Sequence, residues 1–276
     1  MKQRGGLVGL LFAAFLLNGC HTTYVDMEQS MAHIAVISHA GGPYGPPNSL
    51  KAIEGSIRAG VDAIEIDIQM SKDGALVVFH DESIDRLTDG SGKIKDLTLD
   101  ELQQHSLRNS DRSLSTERIP TLAAVVDHVN KRVPLILEVK DYENTKLPFK
   151  LAELIREKDL YKHVVVISFG YNCLKAIHEI DSTITCQYLL NRREQLDDLL
   201  ENKFISTILI DYNSFDAEIV RKIHQKRKKV ITYTLNSQKT IPAGLYSIVD
   251  GIITDDPELW MGIADQIGRA SCRERV

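Results

Sequence analysis

The chain has 276 residues, of which 43% are hydrophobic and 26% charged, with a net charge of −5. That is enough for one large barrel or two small domains, with a sizeable core either way. No basic tract interrupts the acidic balance, so nucleic acid is not a partner this composition supports.

The first twenty residues stand apart. Lys2 and Arg4 give a positive start, and Gly6–Leu17 is apolar but too short to span a bilayer comfortably. Asn18-Gly19-Cys20 follows, and this ending resembles a bacterial lipobox, in which the cysteine is lipidated. Residues 1–20 are therefore expected to be a lipoprotein signal with Cys20 as the lipid anchor. Residues 21–32 form a polar tether. The expected location is the cell envelope, anchored to a membrane, and His21 after the cysteine points to the outer membrane where one exists.

From residue 33 an apolar run, a loop and an amphipathic segment repeat. The runs are Ile34–Ser38, Ala63–Ile68, Pro134–Val139, Val164–Ser168, Thr185–Leu189, Thr207–Ile210, Val230–Leu235 and Ile248–Thr254. Helical patterns lie between them at Ser49–Ala59, Thr121–Lys131, Leu147–Lys158, Asn172–Ile180, Arg192–Glu201, Asp216–Lys226 and Pro242–Tyr246, with Leu259–Asp265 last. Strands alternating with helices imply a parallel sheet, and eight such units predict a (β/α)8 TIM barrel over about residues 33–266. A doubly wound open sheet is the alternative, but no G-x-G-x-x-G turn follows an early strand. Glu82–Pro120 breaks the rhythm. It is expected to be a small insertion after the second strand, over the barrel mouth, with a short capped helix at Thr98–His105. Lys226–Lys229 is read as a solvated helix end. Ile267–Val276 resembles the translation of a sequencing adapter, so the natural C-terminus is expected to be missing.

Residues 61–81 carry the chemistry. Ala63–Ile68 alternates, so Glu65 and Asp67 share one strand face and Ile64, Ile66 and Ile68 the other. Two adjacent carboxylates repel unless a cation sits between them. A turn at Lys72-Asp73-Gly74 and a second apolar run, Ala75–Phe79, bring His80 and Asp81 back toward them. A solvated acidic edge strand is the plainer reading of that stretch alone. The strand ends weigh against it: His39, Glu65 and Asp67, Glu138 and Lys140, Ser168, Asp211, Asn236 and Thr254-Asp255 all fall where barrel strands converge on one face.

Glu65, Asp67 and Glu138 are hard oxygen donors without cysteine, a set suited to one divalent cation, Ca2+ or Mg2+. Histidine is the side chain whose ordinary titration lies near neutrality, so His39 and His80 suit a base and an acid. Lys140 shares a face with Glu138 and can meet a phosphate as a point charge, or simply pair with Asp141 or Glu143. His39 precedes Ala40-Gly41-Gly42, a loop whose backbone can approach a ligand closely. The other seven histidines are read as surface or structural. Cys173 and Cys186 are either a pair or buried thiols.

These residues resemble the glycerophosphodiester phosphodiesterase family over about residues 34 to 260. The similar segments are His39-Ala40-Gly41, Pro47-Asn48-Ser49-Leu50, Glu65-Ile66-Asp67, His80-Asp81, Ile84–Gly92, Arg118-Ile119-Pro120-Thr121-Leu122, Glu138-Val139-Lys140, Thr234-Leu235-Asn236 and Asp250–Pro257. The resemblance implies a phospholipase-C-like barrel and a cation on Glu65, Asp67 and Glu138. His39 and His80 become the acid/base pair, and Lys140, Gly41 and Asn48 the substrate contacts. The implied reaction is hydrolysis of a small glycerophosphodiester to an alcohol and glycerol 3-phosphate, with the neighbouring glycerol hydroxyl able to attack first. Ala40 stands where the family has arginine, and Pro47 where it has glutamate. Two further readings follow: a phospholipase or lyase acting on membrane phosphodiesters with the same pocket, and a lipoprotein that binds phosphodiesters without cleaving them.

Overall fold

A computed structural model describes residues 34–214, 216–237 and 248–273, the side chains only as far as residue 265. The signal segment, Cys20, the tether at 21–32 and the helix expected at Pro242–Tyr246 lie outside the described residues, as do residues 274–276.

Eight parallel strands close into a barrel: β1 (Ala35–Ser38), β2 (Ala63–Met70), β6 (Leu135–Val139), β7 (Val164–Ser168), β8 (Cys186–Leu190), β9 (Ile205–Asp211), β10 (Lys229–Tyr233) and β11 (Gly251–Thr254). Pairing of β1 with both β2 and β11 completes the ring. A short β3 (Leu76–Val78) adds antiparallel to β2, and β4 (Ser106–Arg108) pairs with β5 (Leu114–Arg118) in a separate hairpin. The helices are α1 (Leu50–Ala59), α2 (Leu99–Leu102), α3 (Leu122–Val129), α4 (Leu147–Glu157), α5 (Tyr171–Ile180), α6 (Leu196–Glu201), α7 (Ala217–Gln225) and α8 (Pro257–Arg273). None of the described helices is long and apolar enough to cross a membrane.

The period of two along each strand divides the apolar residues into two cores. Ala35, Ile37, Ala63, Ile136, Val165, Ile167, Leu189, Leu209, Ile231 and Ile253 meet inside the barrel, with every barrel strand contributing. Ile64, Ile66 and Ile68 face outward, into the larger layer between sheet and helices. This is the filled interior expected of an eight-stranded barrel.

Three features differ from the sequence-based expectation. Strand β2 runs on to Met70, because β3 pairs with Ile68, Gln69 and Met70, so Glu65 and Asp67 lie within the strand rather than at its end. The 82–120 insertion holds the β4–β5 hairpin as well as a helix. Alternation on Leu114–Arg118 is between half-buried and exposed residues, which leaves no apolar run to detect. Its helix is shorter than expected, but Thr98 and Glu101 form the capping box that its start implied. The last helix continues past Asp265 to Arg273. The insertion has its own small core of Val77, Phe79, Ile84, Ile94, Leu102, Leu107 and Ile119. Cys173 and Cys186 are buried free thiols.

Leu209 is fully buried in the inner cluster, whereas Leu114 on the hairpin is 52% exposed. Leu209→Ala is expected to cost roughly 2–5 kcal/mol of unfolding free energy by urea titration, because the packed barrel cannot collapse onto the gap. Leu114→Ala is expected to stay within about 0.5 kcal/mol.

Candidate active site

Strand register assembles the site. Ile37 pairs with Ala63 on one side and Ile253 on the other. Two places further along, His39 falls between Glu65 and Asp255. Asp67 pairs directly with Glu138, and one step of two beyond that Gln69 stands beside Lys140. All of these share the inward parity of the barrel core. Glu65, Asp67 and Glu138 each present an oxygen within 4.8 Å of the others. His39 Nε2 lies 4.0 Å from Glu65, and Lys140 Nζ lies 2.8 Å from Glu138 Oε1 and 3.6 Å from Asp67 Oδ1.

His80 arrives from the β3 side. Phe79 N–H donates to the Asp67 carbonyl, and the buried Gln69 amide donates to the carbonyls of Phe79, His80 and Asp81. That clamp folds the His80 loop back over the carboxylates. Lys140 Nζ stands 3.3 Å from His80 Nε2. An ammonium can only donate, so Nε2 accepts and Nδ1 carries the hydrogen donated to Asp81 at 2.7 Å. The Arg86 guanidinium grips Asp81 with two hydrogen bonds of 2.7 and 2.8 Å. His39 is braced in the same manner: Nδ1 meets Asp255 at 2.6 Å, and Asn236 holds Asp255 through its side chain and backbone.

The loop after β1 does its work through the backbone. Ala40 adopts φ 47°, and its N–H donates to Glu65 at 3.0 Å. Gly41 is buried against Ala52 and Ile53 of α1, with its carbonyl accepting from Ser56. Asn48 is buried and clasps Asp67 from both ends, donating to its carboxylate at 2.7 Å and accepting from its N–H at 3.1 Å. The structure thus brings His39, Glu65, Asp67, His80, Glu138 and Lys140 together, and sets Asn48 and the 40–41 backbone behind them. Sequence reasoning gave no role to Gln69, Arg86 and Asn236, nor to Asp81 and Asp255 as braces. For Gln69 a signal existed: it sits two places beyond Asp67, already assigned to the same strand face.

Charge is concentrated and buried here. Glu65 and Asp67 are about 1% and 0% exposed. Burial, then the Asp67 charge, pushes the Glu65 carboxyl from 4.5 up to about 8 against the opposing pull of His39. Burial and Asp67 raise Glu138 as well, with Lys140 opposing. Burial would lower His39, but the Asp255 hydrogen bond and the Glu65, Asp255 and Asp67 charges lift it from 6.5 to about 9. Burial would likewise lower Lys140, yet Glu138 and Asp67 raise it. The Arg86 fork holds Asp81 below its usual range. Glu65 Oε1 and Asp67 Oδ1 are buried without a hydrogen-bond partner. Two orphaned carboxylate oxygens aimed into an all-oxygen cluster fit a hard divalent cation.

Glu65 binds its proton more tightly in the folded chain than in the unfolded one. Its stabilising contribution is complete below about pH 4.5 and is lost as pH rises through about 8. A cation held there would displace that proton, so its benefit would grow as the proton leaves. The rise in Tm on adding Ca2+ or Mg2+ is expected to be larger near pH 8 than near pH 6, and absent in Glu65→Gln. Equal increments at both pH values would place cation uptake elsewhere.

The glycerophosphoryl diester phosphodiesterase family model matches residues 39–259. A glycerophosphodiester phosphodiesterase from Caldanaerobacter subterraneus is 30% identical over 240 residues, covering 84% of this chain and 98% of that protein. Another from Bacillus altitudinis is 29% identical over 246 residues, covering 84% and 98%. Among solved structures, an Oleispira antarctica phosphodiesterase in complex with the product sn-glycerol-3-phosphate superposes with a TM-score of 0.71 at 26% identity, over 84% of this chain and 97% of that one. A glycerophosphodiester phosphodiesterase from Thermotoga maritima does so with a TM-score of 0.69 at 26% identity, covering 84% and 98%. On its matched length and its barrel, the chain belongs to the glycerophosphoryl diester phosphodiesterase family.

Proposed function

We propose that this chain hydrolyses glycerophosphodiesters to an alcohol and sn-glycerol 3-phosphate, with His39 and His80 as its acid/base pair. The observation that carries this reading is the arrangement of the two imidazoles. Each is oriented through Nδ1 by its own carboxylate, and they flank one cluster of three acids, two of them buried and Glu138 half-buried. A carboxylate behind a histidine fixes the tautomer and steadies the imidazolium as a proton arrives. Family membership and the product complex of the Oleispira enzyme support the substrate class.

Glu65, Asp67 and Glu138 would hold one divalent cation, and the orphaned oxygens of the first two support this. Such an ion, Ca2+ or Mg2+, would polarise a phosphoryl oxygen and absorb developing charge. The chain's own groups do the rest. Lys140, tethered to Glu138, offers an ammonium to a phosphate oxygen. His80 Nε2, placed as an acceptor, takes the proton of the glycerol 2-hydroxyl as its oxygen attacks phosphorus. His39, which its surroundings favour in the charged form, gives a proton to the departing alcohol as its P–O bond breaks. A five-membered cyclic phosphate results. In the second half neutral His39 deprotonates water, the cyclic P–O bond to the 2-oxygen breaks, and His80 returns its proton there. Protons balance over the cycle, and each imidazole ends as it began.

Ala40 was the sequence feature most favourable to a binding protein without turnover. Its backbone N–H on Glu65 is a use that does not depend on its side chain. The same reading keeps Cys20 as a lipid anchor, with the barrel facing a membrane surface. Glycerol 3-phosphate is expected to be released from glycerophosphocholine and to be lost with chelator. His39→Ala and His80→Ala should each lower kcat by roughly 10²–10⁴. Full turnover with chelator present would remove the cation, and full activity of either alanine variant would remove that histidine. A cyclic phosphate as end product would mark a lyase.

A further inference from the structure

We propose that an aromatic trough beside the catalytic pocket binds the alcohol half of the diester and selects a quaternary ammonium group there. This rests on the phosphodiesterase reading above. Among the described residues, four large hydrophobic side chains are exposed, and three of them, Tyr142 (44%), Phe149 (62%) and Tyr171 (37%), line this one trough. Phe169 and the buried Tyr188 complete its walls. Clustered exposed aromatics on one concave surface are the mark of a ligand or partner, where scattered ones are not.

The walls are fixed. Tyr188 Oη donates to the Phe169 carbonyl at 3.0 Å, and Asn202 donates to Tyr171 Oη at 2.8 Å. Those two rings meet edge to face, with centroids 6.4 Å apart. A Cβ at Gly170 would come within 2.5 Å of Tyr142 Cβ, so the absence of a side chain there is what seats Tyr142 against the end of β7. The trough also adjoins the site. Tyr142 and Glu143 line it and line the pocket that holds His80 and Lys140 as well. A diester whose phosphate meets Lys140 therefore has its alcohol arm directed along Tyr142.

Chemistry narrows the alcohol. None of the described residues lining the trough is cationic, and Glu143 is anionic. Aromatic faces and one carboxylate suit a cation without hydrogen-bond donors, whose diffuse charge is cheaply desolvated. A primary ammonium keeps a stronger hydration shell and needs acceptors in place of water. A long acyl chain would bury Glu143, Asn144 and Thr145 against hydrocarbon.

The test compares kcat/KM for glycerophosphocholine, glycerophosphoethanolamine and the uncharged 3,3-dimethylbutyl analogue. The choline ester is expected to exceed both others by about tenfold, the scale of one desolvated cation–π contact. Phe149 is exposed enough to vary without unfolding the chain. Phe149→Leu should bring the choline-to-dimethylbutyl ratio close to one, and Phe149→Tyr should retain it. Tetramethylammonium binding measured by calorimetry on the full chain reads the trough without turnover, and should weaken several-fold in Phe149→Leu. Equal rates on the charged and neutral esters, a ratio unmoved by Phe149→Leu, or no tetramethylammonium binding would each overturn the proposal. Loss of turnover on every diester with tetramethylammonium still bound would instead count against the hydrolase reading and leave the trough standing.

Discussion

Mutual repulsion among Glu65, Asp67 and Glu138 is the constraint to which the rest of this barrel is fitted. Buried carboxylates lose their hydration, and adjacent ones raise each other's proton affinity. The fold does not avoid that cost; it distributes partial compensation. Asn48 and the Ala40 N–H each take one oxygen, Lys140 places a positive charge between Glu138 and Asp67, and His39 approaches Glu65. What remains without a hydrogen bond is specific, namely Glu65 Oε1 and Asp67 Oδ1, the latter only within ion-pair reach of Lys140. A barrel built for stability alone would fill these positions with apolar residues, as it does one step of two earlier at Ala63 and Ile136.

That imbalance shapes the surrounding groups. Both histidines are held by carboxylates that are themselves held, Asp81 by Arg86 and Asp255 by Asn236. The braces come from different sources. Asp255 and Asn236 lie just past the ends of β11 and β10, whereas Asp81 and Arg86 lie at the entry to the insertion and within it. The insertion is thus a structural part of the site. Its own core anchors Phe79, and through Phe79 and the Gln69 clamp it fixes the loop carrying His80. The geometry of the proposed acid/base pair across the barrel mouth depends on these two supports staying in register.

Much of this arrangement was legible because it follows from a period of two. The alternation in Ala63–Ile68 divided acids from isoleucines, and the eight apolar runs located the strands to within two residues at most ends. Pairing of His39 with Asp255 was not legible, since it spans 216 positions and exists only because β1 closes against β11. The hairpin at 106–118 was hidden by its half-exposed, polar pattern. Asn48 illustrates a subtler loss. Its motif position implies a substrate contact, and in the folded chain its amide also clasps Asp67, a role that the motif alone does not show.

Ala40 shows the same point from the opposite side. Read as a letter, it is an arginine lost and a phosphate contact forgone. In three dimensions the position has φ 47°, a left-handed backbone that a β-carbon tolerates with some strain. That conformation is what turns its N–H onto Glu65 and brings the Asn48 N–H onto its own carbonyl at 2.7 Å. The backbone geometry, and not the side chain, ties the first histidine loop to the carboxylate cluster. A missing guanidinium therefore leaves the acid/base framework assembled. On the proposed reading its effect would fall on how the phosphate is gripped, which would place more of the recognition on Lys140 and on whatever holds the alcohol arm beyond it.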